Sequence, residues 1–250
     1  STLLALAMLA YSDPARTSPN TKANRPTSKK TQSPRQTYKD FVFSDFFFKG
    51  PIDPDVSGVD IGWTYADGTN LAVHKQSNKW MRYERQPKKS VTYLGISRCV
   101  PAVEQRTLRS KFGGSRIVLP TANLDDNYVR RLSQVMGTEF HRAEEYGDGR
   151  YGLRGLQGKS HYSGFNMGAG EDAVVQILLA LQAAEQGSIV GIEEIELGIH
   201  SSALRKLAQH IVEISREKGI QVVITSHSEH FIDELPRQAR VLVERAGPAT

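Results

Sequence analysis

Two adjacent carboxylates, Glu193 and Glu194, directly follow the apolar run Ile189–Ile192. One carboxylate can hold a Mg²⁺ ion, directly or through water, while its neighbour orients or deprotonates an attacking water. In parallel α/β sheets ligands bind at the carboxyl ends of the strands, which is where these two side chains would emerge. A solvated acidic loop after a buried strand is the structural alternative.

A histidine stands at the end of the next apolar run. Ile220–Thr225 leads into Ser226-His227-Ser228. Because neighbouring parallel strands deliver their last residues to one crevice, we expect His227 within reach of the carboxylates, where it could contact a phosphate or the attacking water. Alone, a histidine at a strand end is also explained as a packed or surface residue. The combination of strand-end groups is what indicates a site.

Two further segments could hold a phosphate. The glycine-rich stretch Gly168-Ala169-Gly170-Glu171 opens a helix, and the amide groups at a helix N-terminus form an anion site. Ser1-Thr2 precedes an apolar helix, as at the end of the phosphate-binding pattern G-x-x-x-x-G-K-[ST]. The glycines and the lysine of that pattern are not in the sequence, so we expect the sequence to begin inside the motif. A turn and a helix cap are the respective alternatives.

These candidates need a sheet to position them, and the second half of the chain predicts one. Amphipathic helices over Glu171–Gln186 and residues 204–219 alternate with apolar strands at 188–193 and 220–225. Uninterrupted apolar strands that alternate with helices indicate a parallel sheet covered on both faces.

The first half predicts a more mixed pattern. Short strands are expected in three places, and a longer buried strand is expected over Val91–Val100, ended by Pro101. Helices are expected over 102–112 and 123–136, the second opened by Asn123, and a hairpin is expected around Gly147–Gly149. The three short strands are 59–65, 71–74 and 80–85.

Composition excludes several classes. The chain has 250 residues, 39% hydrophobic and 24% charged, so collagen, coiled coil and wholesale disorder do not fit. The net charge of +5 comes from residues 1–39, which hold seven basic residues and one acid, so the other 211 residues sum to −1. The single cysteine, Cys99, forms no internal disulfide, and a reducing, cytoplasmic location is the expectation.

The amino-terminal region offers two competing interpretations of its charge. Residues 12–39 are rich in Ser, Thr, Pro, Asn and Lys and are expected to form a flexible basic loop. Nucleic-acid binding through residues 14–39 is the alternative, although aromatic stacking partners are absent there until Tyr38. The apolar run Ser1–Tyr11 is far shorter than the roughly 20 residues of a membrane span, and no membrane association is expected.

In their order along the chain, these elements resemble the ABC-type ATPase head of RecF/SMC-like proteins and of the OLD-like, AAA-family ATPases of bacterial anti-phage defence. The resemblance is best over residues 160–240. It implies a Walker A hydroxyl on Mg²⁺ at Ser1, next to Thr2; a signature motif at Gly168, Ala169, Gly170 and Glu171; a metal-binding Walker B acid at Glu193; a catalytic glutamate at Glu194; and a switch histidine at His227.

The resemblance implies a fold and a function. The fold is an α/β, ABC-type P-loop NTPase fold, a single domain over 1–250, with a mainly parallel sheet, an antiparallel portion and a helical insertion at 102–136. The signature motif of this family acts in trans, so ATP and Mg²⁺ would join at least two copies head to head, and hydrolysis would release them. An effector such as a nuclease is the implied partner, and DNA is a possible one.

The sequence also departs from the family pattern. Gly168 replaces a serine that would contact a γ-phosphate, Glu193 replaces an aspartate, and Ser201 stands where proline often follows the Leu-His pair of an E-x-x-L-H segment, here Glu196–His200. No glutamine could be assigned to a Q-loop. Two alternatives therefore stay open: a catalytically weak or inactive scaffold that binds a toxin or effector, and a RecF/SMC-like DNA-repair ATPase.

Overall fold

A computed structural model of the chain describes residues 2–11, 50–53, 58–75, 80–81, 86–114, 120–147 and 152–244. Three parts of the sequence predictions lie outside these described residues: Ser1, the basic segment 12–39, and residues 148 and 149 of the predicted turn. The strands are β1 Val59–Thr64, β2 Asn70–Lys75, β3 Trp80–Met81, β4 Val91–Leu94, β5 Ala122–Asn123, β6 Arg142–Gly147, β7 Gly152–Gln157, β8 His161–Ser163, β9 Ile189–Ile192 and β10 Gln221–Ile224.

Six α-helices belong to the described part of the chain, together with four short 3₁₀ turns. The 3₁₀ turns are Ile96–Cys99, Ala102–Glu104, Gly164–Asn166 and Arg237–Ala239. The helices are α1 Thr2–Met8, α2 Arg106–Phe112, α3 Asp126–Met136, α4 Ala169–Ala183, α5 Ser201–Lys218 and α6 Glu229–Ile232.

A three-stranded parallel sheet lies at the centre of the fold, in the order β10-β9-β4. All four residues of β9 are buried. Val190 and Ile192 face a large core built mainly from α4 and α5, whereas Ile189 faces α1 through Leu4 and Met8. The sheet is therefore covered on both faces, and the predicted mixed α/β fold with a parallel sheet is confirmed.

Two antiparallel sheets flank this centre. Strands β1-β2-β3 form a meander, and Leu9, the residue directly after α1, packs on it. Strands β5-β6-β7-β8 form a second sheet, and Ala143 and Leu156 point from it into the main core. The predicted antiparallel portion is thus present, and the region 102–136, predicted as helical, contains helices α2 and α3 together with the short strand β5.

Local capping explains where the predicted helices begin and end. Asp125, rather than Asn123, caps α3, because its side chain accepts a hydrogen bond from the amide of Tyr128 at 2.8 Å. Helix α5 ends at Gly219, whose left-handed conformation (φ 60°) suits glycine. No helix among the described residues is both long and apolar enough to cross a membrane.

The predicted strand over Val91–Val100 is wrong in its second half. Strand β4 ends at Leu94, and the chain then turns into the 3₁₀ turn Ile96–Cys99. Its neighbour β9 is only four residues long, so no ladder is available beyond Leu94. The side chain of Arg98 folds back onto the carbonyl of Gly95 at 3.0 Å and stabilises the turn.

Candidate functional site

The acidic residues Glu193 and Glu194 form a turn at the end of the central strand. The amide of Glu193 donates to the carbonyl of Leu94 at 2.9 Å. On the other side, the amide of Glu194 donates to Oγ1 of Thr225 at 2.9 Å, and the amide of Ile195 donates to the carbonyl of Thr225 at 3.2 Å. The turn is therefore bonded to the ends of both neighbouring strands.

Glu194 has a strained backbone. Its φ of 45° makes it the single non-glycine residue with positive φ among the described residues. A left-handed conformation costs a residue with a Cβ atom about 1–2 kcal/mol. Such strain persists only where surrounding contacts impose it, and it is concentrated at functional sites. Glu194, the candidate catalytic residue, is therefore also the residue whose backbone is strained.

Arg98 supplies contacts that hold this turn. Its guanidinium donates to the carbonyls of Glu193 and Glu194, at 2.5 Å in each case. The residue is 4% exposed, and burial lowers the pKa of its guanidinium. Sequence reasoning missed Arg98, because the apolar pattern around it predicted a continuing strand. A basic residue inside an apolar run was the signal that could have found it.

Tyr93 contacts the side chain of Glu193. Its hydroxyl donates to Oε2 of Glu193 at 2.6 Å, from the neighbouring strand β4. Burial raises the pKa of the Tyr93 hydroxyl, so this group keeps its proton and acts as a donor at neutral pH. Tyr93 was also missed, since the sequence alone does not pair β4 with β9. The side chain of Glu193, one methylene longer than the aspartate of the family pattern, is therefore held by a hydrogen bond from Tyr93.

His227 lies beside Glu194. Its Nε2 is 3.7 Å from Oε1 of Glu194, and the two side chains are 86% and 26% exposed, respectively. Glu196 holds the segment in place, because its carboxylate accepts from the backbone amide of His227 at 2.7 Å and from the hydroxyl of Ser226 at 2.8 Å. The structure thus brings together the strand-end residues that the sequence singled out.

The glycine-rich turn lies at the start of α4. Gly168 is exposed, and a Cβ atom built on it meets nothing within 4 Å. Gly170 differs, since a Cβ atom there would stand 1.9 Å from the carbonyl oxygen of Gly198, in the loop that follows the acidic turn. The carboxylate of Glu171 accepts a hydrogen bond from the hydroxyl of Tyr162 at 2.5 Å. Gly170 therefore connects the glycine-rich turn to the acidic loop by close packing.

Helix α1 lies against the strand that leads to the acidic turn. Ser1 is outside the described residues, as is the side chain of Thr2. Leu4 and Met8 pack on Ile189, and a Cβ atom on Gly191 would stand 2.5 Å from Sδ of Met8. The apolar helix that follows the candidate phosphate-binding residues thus packs directly on the strand that carries the carboxylates.

The donor atoms of this site suit a hard cation. Oxygen ligands come from carboxylates and hydroxyls, which Mg²⁺ prefers. Within the described ranges, no group of three or more His, Cys, Asp or Glu side chains forms a metal cage.

Residues 163–233 match a family model described as "AAA domain, putative AbiEii toxin, Type IV TA system". The matched region contains the glycine-rich turn, the acidic turn and His227. No curated protein matches the chain. One similar solved chain, described under "Structural biochemistry of ATP-driven dimerization and DNA stimulated activation of SMC ATPases", is 14% identical, with a TM-score of 0.36 over 44% of this chain and 70% of that chain. The architecture and the family match fit the predicted P-loop NTPase fold.

Proposed function

We propose that the protein binds ATP with Mg²⁺ and hydrolyses it at the acidic turn. The observation that carries this proposal is the convergence of Glu193, Glu194 and His227 at the carboxyl ends of adjoining parallel strands, at a backbone that is held in a strained conformation. The match of this region to an AAA-domain family supports it.

In the proposed reaction a water molecule attacks the γ-phosphorus of ATP. Glu194 orients this water and accepts its proton, while the bond from the γ-phosphorus to the β,γ-bridging oxygen breaks and ADP leaves with that electron pair. His227, next to Glu194 and largely exposed, donates a hydrogen bond to a γ-phosphate oxygen or to the water. The products are ADP and inorganic phosphate.

Glu193 is the residue proposed to hold Mg²⁺, with the hydroxyl of Ser1 as its second ligand by the sequence pattern. When bound, the ion neutralises charge on the phosphate oxygens. The Tyr93 hydroxyl restrains Oε2 of Glu193, and it thereby sets where the longer side chain presents its carboxylate.

The Gly168–Glu171 turn, which is exposed at Gly168, is the surface proposed to close on nucleotide held by a second copy. Thr2 and this turn would contribute to the nucleotide site, and ATP would join two copies head to head until hydrolysis releases them. The open space around Gly168 leaves room for such a partner. We further propose that this assembly belongs to a cytoplasmic anti-phage defence complex with a nuclease or other effector, by resemblance to OLD-like ATPases. The matched family description names a toxin and a TA system, which supports association with an effector.

A scaffold that binds an effector without turnover is the second candidate. The substitutions at Gly168 and Glu193 favour it, because the first removes a phosphate-contacting hydroxyl of the family pattern and the second moves the metal-binding carboxylate. A RecF/SMC-like DNA-repair ATPase, which would add DNA as a partner, shares the chemistry proposed above.

The test measures ATP turnover and molar mass in the full-length protein. We expect Mg²⁺-dependent release of phosphate by the wild type, and a doubling of molar mass in light scattering when Glu194→Gln is mixed with Mg-ATP. Gly168→Trp added to Glu194→Gln is the matched control, since the tryptophan side chain would enter open space and block a partner: this double variant should bind ATP but stay monomeric. Equal phosphate release by the wild type and Glu194→Gln would refute hydrolysis at this site, and release no faster than the protein-free background in both would favour the scaffold.

A further inference from the structure

We propose that Arg98 is a positioning residue that fixes the direction in which Glu194 presents its carboxylate; this inference rests on the proposed hydrolytic role of that carboxylate. Arg98 lies outside every motif of the sequence pattern, and it contacts the acidic turn only through backbone carbonyls.

The contacts of Arg98 lie on both sides of one Cα atom. The carbonyl of Glu193 belongs to the peptide unit before the Glu194 Cα, and the carbonyl of Glu194 belongs to the unit after it; the same guanidinium binds both. The opposite edges of these two units are bound as well, because the amides of Glu194 and Ile195 donate to Thr225. Fixing both units fixes φ and ψ of Glu194, and with them the direction of its Cα–Cβ bond.

The cost of burying this guanidinium argues against a role in packing alone. Among the described residues Arg98 makes no ion pair with a carboxylate, its Nε has no hydrogen-bond partner, and the residue is 4% exposed. The carboxylates of Glu196 and Glu194 attract this charge without forming an ion pair with it. Burying a charge that no carboxylate contacts directly is expensive, and an apolar side chain of similar volume would pack at lower cost. What an apolar side chain cannot do is donate to two carbonyls at a strained turn.

The turn that carries Arg98 is itself fixed to its surroundings. The side-chain amide of Gln176, on α4, donates to the carbonyl of Arg98 at 3.1 Å, and the thiol of Cys99 donates to the carbonyl of Leu197 at 3.4 Å. A cavity of about 400 Å³ opens beside Arg98, Gly95 and Gln176. A shorter side chain at position 98 would admit water from this cavity to the two carbonyls, and the turn would lose its single conformation.

Arg131 provides a matched control. It is also 4% exposed and also has an unpartnered Nε, but it lies on α3 and pairs with Glu217 at 2.6 Å, with no contact to the acidic turn. Replacing either arginine by methionine removes a buried guanidinium and keeps most of the side-chain volume. The effect on stability of removing a buried guanidinium is therefore common to both variants, and a specific effect on the acidic turn is not.

The experiment compares Arg98→Lys, Arg98→Met and Arg131→Met with the wild type at a temperature where all are folded. We expect kcat for ATP hydrolysis to fall about 30-fold in Arg98→Met and less in Arg98→Lys, with the Kd for ATP within about threefold, because misplacing a reacting group by about 1 Å can cost up to about 100-fold. Arg131→Met should keep kcat within about twofold. An unchanged kcat in Arg98→Met, or an equal fall in Arg131→Met, would overturn the proposal.

Hydrogen exchange gives a second measurement that does not depend on turnover. The amides of Glu194 and Ile195 should exchange at least about tenfold faster in Arg98→Met than in Arg131→Met, because local opening raises exchange without global unfolding. Equal protection in the two variants would refute the positioning role, even if the wild type proved to hydrolyse no ATP. A wild type without turnover would refute the proposed function alone, and hydrogen exchange would still decide the role of Arg98.

Discussion

Among the carboxylate–histidine pairs of the described residues, two belong to different sheets and differ in how their carboxylates are held. Glu144 and His161 lie on the antiparallel sheet, with Nε2 and Oε2 3.1 Å apart, whereas Glu194 and His227 lie at the end of the parallel sheet, 3.7 Å apart. The side chain of Glu144 is 6% exposed and that of Glu194 is 26% exposed. The same two residue types thus occur once with a buried carboxylate and once with a partly exposed one.

The difference lies in which atoms the surrounding hydrogen bonds hold. Both carboxylate oxygens of Glu144 have partners: Oε1 forms an ion pair with Nε of Arg142 at 2.9 Å, and Oε2 accepts a hydrogen bond from the Tyr146 hydroxyl at 2.5 Å. Burial and this hydrogen bond raise the pKa of Tyr146 to about 12. Around Glu194 the protein binds the backbone instead, and the carboxylate faces an exposed histidine. The first pair stabilises a sheet, and the second is available for chemistry.

The largest expected effect concerns a glycine in each region. Gly170→Ala should lower the free energy of unfolding by about 3 kcal/mol, because its Cβ would overlap the backbone of Gly198. Gly155→Ala should cost about 1 kcal/mol, since its nearest neighbour is a side-chain atom of Tyr146 at 2.9 Å, which can move. Urea denaturation measures both. Equal losses would show that the loop after the acidic turn is no more rigid than the antiparallel sheet.

The second-largest expected effect is a difference in the free energy of unfolding between variants of the two glutamates. Glu144→Gln should lower the free energy of unfolding by about 2 kcal/mol, because hydrogen bonds to a buried charge are lost. Glu194→Gln should change it by less than about 1 kcal/mol, since its carboxylate is partly exposed and its backbone contacts stay. Thermal or urea unfolding of the two variants side by side provides the measurement. A reversed order would contradict the division into a structural and a chemical pair.

The histidines give the smallest effects and the sharpest contrast. His227→Asn should reduce ATP turnover about tenfold and leave stability unchanged, because its side chain is 86% exposed and supports no packing. His161→Asn should leave turnover unchanged and cost about 0.5 kcal/mol, as for a partly exposed ion pair. Phosphate release and urea denaturation, measured on both variants, separate these outcomes. A loss of ATP turnover in His161→Asn would show that both pairs contribute to hydrolysis and would contradict the contrast drawn between them.

The parallel sheet and the residues at its strand ends could be predicted from the sequence for a physical reason. Buried parallel strands are continuous apolar runs in the sequence, and the residues that follow them emerge at one edge of the sheet. The sequence alone therefore predicts that Glu193, Glu194 and His227 lie together. The fold of the second half follows from the same periodicity, together with the glycine that ends α5.

The residues that support the site could not be predicted from the sequence in the same way. Tyr93 and Arg98 reach the acidic turn across about 100 positions of sequence, through a pairing of β4 with β9 that no local pattern encodes. The left-handed backbone of Glu194 results from those tertiary contacts, because local preference alone would oppose it. The glycine-rich turn was assigned to phosphate binding, and the packing of Gly170 against Gly198 appears only when both loops are folded.

The most direct test of the account is the rate of Mg-ATP hydrolysis by Glu194→Gln and Glu144→Gln in the full-length protein, each corrected for its folded fraction. We expect a fall of at least about 100-fold for Glu194→Gln, because a group that accepts a proton is removed, and a rate within about twofold of the wild type for Glu144→Gln. A Glu194→Gln variant that hydrolyses ATP at the wild-type rate would contradict the account, as would an equal fall in both variants.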